Sequence, residues 1–136
     1  MVKRHTVQTH SREELVDVTS TVAEMLAASE VSSGVVTLFV PHTTAGITIN
    51  ENADPDVGAD VLKGLAHFVP QRLPLFRHAE GNSDAHIKAS LVGSSVQVIV
   101  ENGHLLLGTW QAVYFCEFDG PRSRRLWVKI APDADT

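Results

Sequence analysis

Hydrophobic and polar positions change rhythm several times along the chain, and each rhythm predicts an element. Residues 2–9 read as an opening strand. Ser11-Arg12-Glu13-Glu14 then has the form of a capping box, with Ser11 as N-cap and Glu14 reaching back to its amide. Leu15, Val18, Val22, Met25 and Leu26 recur at helical spacing behind it, which predicts an amphipathic helix over 12–29. Val35 to Val40 is a β-branched run stopped by Pro41, and Ile47 to Asn50 alternates as a short strand. Asp54-Pro55 opens a second helix, with an N-cap residue followed by proline at the first helical position. Val57, Val61, Leu62, Leu65 and Phe68 line its apolar face, and it ends by Pro70.

Residues 70–83 form the longest irregular stretch, a length that in compact domains often carries function. Asp84 is placed to cap a short helix from Ala85 to Val92 that Gly93 stops. Strands follow. Val96 to Val100 alternates, Glu101 to His104 supplies an Asn-Gly turn, and Leu105 to Phe118 reads as one long strand bent at Gly108. A turn at Asp119-Gly120-Pro121 leads to the closing strand, Arg125 to Ile130. The expected fold is α+β, with about seven mostly antiparallel strands, two longer helices and one short one.

The 136 residues contain no repeat, linker or low-complexity tract, so a single domain over 1–136 is expected. The net charge of −5 argues against nucleic-acid binding through phosphates, with Arg122-Ser123-Arg124-Arg125 as a local basic exception. No apolar run approaches the roughly 18 residues of a membrane span. The basic N-terminus lacks the apolar stretch of a secretory signal, so a cytoplasmic setting is expected. The one cysteine, Cys116, lies in an apolar run and reads as a buried thiol.

Seven histidines, many for this length, are the first hint of chemistry. His42, in Pro41-His42-Thr43-Thr44-Ala45-Gly46, sits at a strand end beside hydroxyls and a glycine that let a substrate approach the backbone. A surface-loop histidine fits the same segment. His78 and His86 bracket an acidic, glycine-containing loop. Together with His42 they make a three-histidine set of the kind that holds catalytic zinc, although solvated loop histidines account for the pattern equally well. Gln111, in Gly108-Thr109-Trp110-Gln111, is an amide in an apolar strand that wants a hydrogen-bond partner, and Trp110 reads as core or subunit interface ahead of a stacking platform. Arg122 follows Glu117 and Asp119 closely, so it suits either a phosphate or one of those carboxylates. His5, His10, His67 and His104 lack supporting neighbours. No nucleophile elbow, P-loop or dinucleotide fingerprint occurs, which removes the serine hydrolase, NTPase and Rossmann readings.

Four runs in register, HTTAGITINENADPDV at 42–57, NSDAHIKASLVG at 82–93, GTWQ at 108–111 and CEFDGPRSRR at 116–125, resemble the YjbQ-like family, which carries the label of a secondary thiamine-phosphate synthase family. The resemblance covers nearly the whole chain. It implies a two-layer, β-sandwich-like core flanked by helices, a homotrimer with sites near subunit boundaries, and a metal site at His42, His78 and His86. Thiamine-phosphate synthesis would need cations for the departing diphosphate and an apolar or aromatic wall for the pyrimidine. Thr43, Thr44, Lys88, Gln111, Arg122 and Arg124 are the candidates for phosphate and substrate contacts, and Trp110 for the wall.

Zinc suits the histidines, whereas diphosphate chemistry favours magnesium on oxygens such as those of Asn82, Asp84, Glu51 and Asp54. Three functions follow as expectations. The first is a transferase acting on phosphorylated thiamine precursors. The second is a zinc hydrolase of a small phosphorylated or acyl substrate, with Glu51, Asp84 or His86 in acid–base roles. The third is a non-enzymatic trimeric module that binds a metal or an anion.

Overall fold

A computed structural model describes residues 1–134. In chain order its elements are β1 (Val2–Gln8), β2 (Glu14–Asp17), α1 (Thr19–Ser29), β3 (Gly34–Phe39), β4 (Ala45–Glu51), α2 (Pro55–Phe68), α3 (Ser83–Val92), β5 (Ser95–Glu101), β6 (His104–Leu105), β7 (Gln111–Glu117) and β8 (Ser123–Pro132). The strands form two antiparallel sheets. One has the order β1-β8-β3-β5-β6, and the smaller has the order β2-β7-β4. This is the α+β, two-layer arrangement expected from the sequence. No helix among the described residues is long and apolar enough to cross a membrane.

Alternation decides which face each strand buries. Val36, Leu38, Val98, Val100, Leu126 and Val128 of the larger sheet meet Ile47, Val113 and Phe115 of the smaller one, and Val22 and Leu26 of α1 join them. The opposite face of the small sheet is covered by helices. Cys116 and Phe118 there pack against Ala85 and Ala89 of α3, with Leu62 and Leu65 of α2 alongside. Burial pushes the Cys116 thiol up to about 12, so it stays protonated and inert.

The expected helix over 12–29 is half wrong. Glu14 does reach back, its Oε1 accepting from the amides of His10 at 2.6 Å and Ser11 at 3.3 Å. The chain then runs as β2, pairing Glu14–Asp17 with Tyr114–Glu117 of β7. Leu15 and Val16 satisfy both periodicities over so short a window, and the ladder to β7 settles the choice. The helix begins only at Thr19, whose amide donates to Asp17 Oδ1 at 2.9 Å. Asp54 caps α2 as expected, its side chain accepting from Asp56 N at 2.9 Å.

Other boundaries shift as well, and β4 runs from Ala45 to Glu51 where Ile47 to Asn50 was expected. The N-cap of α3 is Asn82, and Asp84 lies inside the first turn. The expected strand from Leu105 to Phe118 splits into β6 and β7, because 106–110 leaves both strand ladders, with Leu106 N still donating to Ile99 O at 2.8 Å. There Gln111 Oε1 accepts from the Gly108 amide at 2.8 Å. The closing strand begins two residues earlier than expected, at Ser123.

One close approach sets the geometry beside the site. A Cβ on Gly46 of β4 would lie 2.7 Å from the Gly93 carbonyl oxygen. That oxygen accepts from the Ile47 amide at 3.0 Å, so the end of α3 is tied directly to the start of β4. Only a residue without a side chain lets the two backbones meet.

Candidate functional site

The loop between β3 and β4, which carries His42, Thr43 and Thr44, is held from several directions. On the α3 side, Val40 N donates to Ser94 O at 2.8 Å. On the β7 side, Phe118 N donates to Thr44 O at 3.2 Å. On the β8 side, the Arg125 amide donates to His42 Nε2 at 2.8 Å. The last bond fixes the histidine tautomer. Nε2 is an acceptor, so the proton of the neutral ring is on Nδ1.

His42 faces a cleft of about 360 Å³ lined also by Thr43, Ala45, Ser94 and one face of α3. That face is His86, Ala89, Ser90 and Gly93, at the spacing that puts residues on one side of a helix. Small side chains at Ala45, Ala89 and Gly93 leave the space open. Two imidazoles and several hydroxyls line it.

A buried charge pair lies behind the loop. Arg124 Nε donates to Glu117 Oε1 at 2.9 Å, and its Nη2 donates to Glu117 Oε2 and, at 2.8 Å, to Thr44 Oγ1. Glu117 also accepts from Thr9 Oγ1 at 2.8 Å and from the Asp119 amide at 3.0 Å. Glu117 is fully buried and Arg124 is 2% exposed. Burial would raise the Glu117 carboxyl. The bonds from Arg124, Asp119 and Thr9 outweigh it and hold Glu117 below the usual carboxylate range. His42 is pushed the other way, below the usual imidazole range, first by burial and then by the charge of Arg124, with Arg122 and Arg125 adding to it against Glu117. His42 is therefore a neutral Nδ1–H donor in a positive local field.

The remaining expected site residues disperse. Lys88 is 1% exposed, and its Nζ donates to Glu13 Oε1 at 2.6 Å and to Asp84 Oδ2 at 2.8 Å. Arg12 grips the same Asp84 with both Nη atoms, at 3.2 and 3.0 Å. Asp84 and Lys88 thus spend their charges on one another and on the 12–13 segment. Arg122 donates to Asp119 Oδ2 at 3.1 Å and to Asp119 O at 3.0 Å, and is half exposed. Asp119 in turn receives Asn82 Nδ2 at 2.8 Å, which leaves Asn82 Oδ1 buried without a partner. Glu51 and Gln111 pair at the far end of β4 and β7, with exposed Trp110 beside them. Six residue steps, about 20 Å at roughly 3.3 Å each, separate them from the His42 end of β4.

The three-histidine metal site is not assembled. Among the described residues no group of three His, Cys, Asp or Glu side chains is placed to hold a metal. The reasons are local. The His42 Nε2 lone pair is taken by the Arg125 amide. His78 and His86 pack edge to face, with ring centres 5.4 Å apart, and Asp84 is already gripped by Arg12 and Lys88.

The fold and cleft define a class: a two-sheet α+β domain with a histidine-lined pocket between a strand-end loop and a helix face. The chain belongs to the family described as UPF0047 protein YjbQ-like, whose model matches residues 3–133. It is similar to a UPF0047 protein of Methanocaldococcus jannaschii, 52% identical over 98% of this chain and 96% of that one. A second relative, YugU of Bacillus subtilis, is 52% identical over 96% of this chain and 98% of its own. Among solved structures, a YjbQ/UPF0047 protein of Clostridium acetobutylicum superposes with a TM-score of 0.92 at 53% identity, covering 95% of this chain and 99% of that one. A YbjQ-like protein of unknown function from Sulfolobus solfataricus reaches the same TM-score at 31% identity, covering 98% and 97%.

These findings correct the expected activity. The family is described by a number and a relative's name, with no reaction, and the Sulfolobus relative is described as of unknown function. Membership therefore carries no thiamine-phosphate synthase. The zinc hydrolase alternative loses its metal set.

Proposed function

We propose that this protein binds a small anionic molecule, through its phosphoryl or carboxylate group, in the cleft between His42 and His86. The observation that carries this reading is the bond from the Arg125 amide to His42 Nε2, which commits the ring to donating from Nδ1. A neutral donor beside Arg124, Arg122 and Arg125, which Glu117 opposes only in part, favours an anion over a cation. Thr43, Ser90 and Ser94 add hydroxyls to the lining. Any proton transfer to the bound molecule falls to His86, because His42 has no free lone pair while the Arg125 bond stands. The working molecule is proposed to be a cytoplasmic homotrimer, the assembly that the family resemblance implies. Exposed Phe39, Ile99, Leu106 and Trp110 offer apolar surface for such contacts.

Inorganic phosphate is the probe, followed by calorimetry and by imidazole nitrogen resonances. His42 is expected to show the Nδ1–H tautomer at pH 7 and to titrate below the usual imidazole range. His42→Gln keeps an acceptor near the Nε2 position but removes the Nδ1 donor. It is expected to weaken phosphate roughly 10- to 150-fold, the span of a hydrogen bond to a charged group. Unchanged affinity in a folded variant would remove His42 from the site.

A further inference from the structure

His86 belongs to two cavities at once. On one side it lines the His42 cleft, and on the other it lines a pocket of about 420 Å³ with Leu75, Phe76, Ile87 and His78. His86 and its chain neighbour Ile87 lie about 100° apart around α3, which is how one helix serves both spaces. The walls differ in kind. The cleft is lined by imidazoles, hydroxyls and small residues, whereas the second pocket takes its apolar surface from Leu75, Phe76 and Ile87, with Arg77 and Ser83 also in its lining. Leu75 is 73% exposed and Ile87 38% exposed, so apolar surface stands open directly beside a polar, positively biased cleft. The irregular segment that carries Leu75 and Phe76 is folded onto itself, with Phe76 N donating to Leu73 O at 3.0 Å and Gln71 Nε2 donating to Gly81 O at 3.2 Å.

We infer that the ligand is bipartite: an anionic group in the His42 cleft, and a short aryl or alkyl arm that crosses His86 into the pocket of Leu75, Phe76 and Ile87. The inference rests on the anion reading of the cleft and adds the class of molecule. The edge-to-face pair of His86 and His78 forms the wall that the arm passes. An ion with no apolar part leaves this second pocket unused, and an apolar molecule with no charge leaves His42 without an acceptor.

Inorganic phosphate, phenyl phosphate and benzyl alcohol, titrated separately into the full chain, separate the possibilities. Phenyl phosphate is expected to bind at least about tenfold tighter than phosphate, the effect of withdrawing roughly 60 Å² of apolar surface from water. Benzyl alcohol alone is expected to bind more weakly than either. Leu75→Ser and Ile87→Ser, both at exposed positions, are expected to erase the phenyl advantage and leave phosphate affinity within about twofold. If phosphate binds through His42 and phenyl phosphate is no tighter, the arm is overturned and the cleft reading stands. If neither binds, both readings fall. If the serine variants alter subunit number by light scattering and leave both affinities unchanged, the pocket is a contact between copies and the arm is again overturned.

Discussion

Arg124→Met is expected to destabilise the fold by about 3–5 kcal/mol, because it strands the buried Glu117 charge and removes the donor to Thr44. Urea unfolding reads the loss as a lower midpoint at an unchanged slope. The physical claim is that the stranded charge dominates, and a second substitution tests it. Glu117→Gln removes that charge while keeping the side chain's shape. Combined with Arg124→Met it should therefore recover part of the single-variant loss. Simple additivity of the two substitutions would show that the pair is not coupled, and that the cost lies in packing alone.

The second large effect is expected at Lys88. Lys88→Met leaves Asp84, which is fully buried, with Arg12 as its remaining cation, and a loss of about 3 kcal/mol follows from breaking a buried pair. The change also moves the acid limit. Burial pushes the Asp84 carboxyl up, but the bonds from Arg12 and Lys88 and their charges bring it below its ordinary value. A carboxyl lowered in the folded state stabilises fully above its unfolded pKa, about 3.9, and that stabilisation is lost as pH falls through the folded pKa. Glu117 is lowered in the same direction. The wild type is thus expected to keep this contribution down to about pH 4 and lose it below. Without Lys88, Asp84 returns upward and the loss starts at a higher pH. Circular dichroism during acid titration reads both midpoints; coincident acid midpoints would leave Lys88 no role in holding Asp84 ionised.

Local pattern carried much of the fold. Asp54-Pro55 marked the start of α2, and the β-branched run from Val35 marked β3, because both signals are written in adjacent residues. What local pattern missed was decided at long range. Leu15 and Val16 belong to β2 because β7 lies beside them, more than 90 positions away in sequence. At the site, residue type pointed to His42 and His86, which do share a cleft. It could not reveal that the His42 lone pair is spent on a backbone amide, and a metal set drawn from the histidines and the family resemblance was the result. Arg124 was grouped with a local basic cluster and offered to a phosphate, yet a signal for its burial was present. Arg124, Leu126, Val128 and Ile130 continue one alternation, and extending the strand two residues back puts the guanidinium inside. Asp84 and Lys88 stand at the four-residue spacing of a helical ion pair, but spacing says nothing of their burial.

Adjacent residues of β8 serve the site by opposite means: Arg124 through an inward side chain, Arg125 through its backbone amide. Sliding β8 by one residue along β1 and β3 would preserve a full ladder of backbone bonds while exchanging the faces of every side chain. Arg124 would swing to solvent, Glu117 would lose its counter-charge, and His42 would meet a different amide. The buried pair therefore works as an indexing pin that makes the slipped sheet costly. For a lineage or a designer adding length to the chain, the turn between β7 and β8 can loop extra residues out while the pin holds β8 in place, whereas an odd-numbered insertion within β8 would exchange the faces of every residue beyond it.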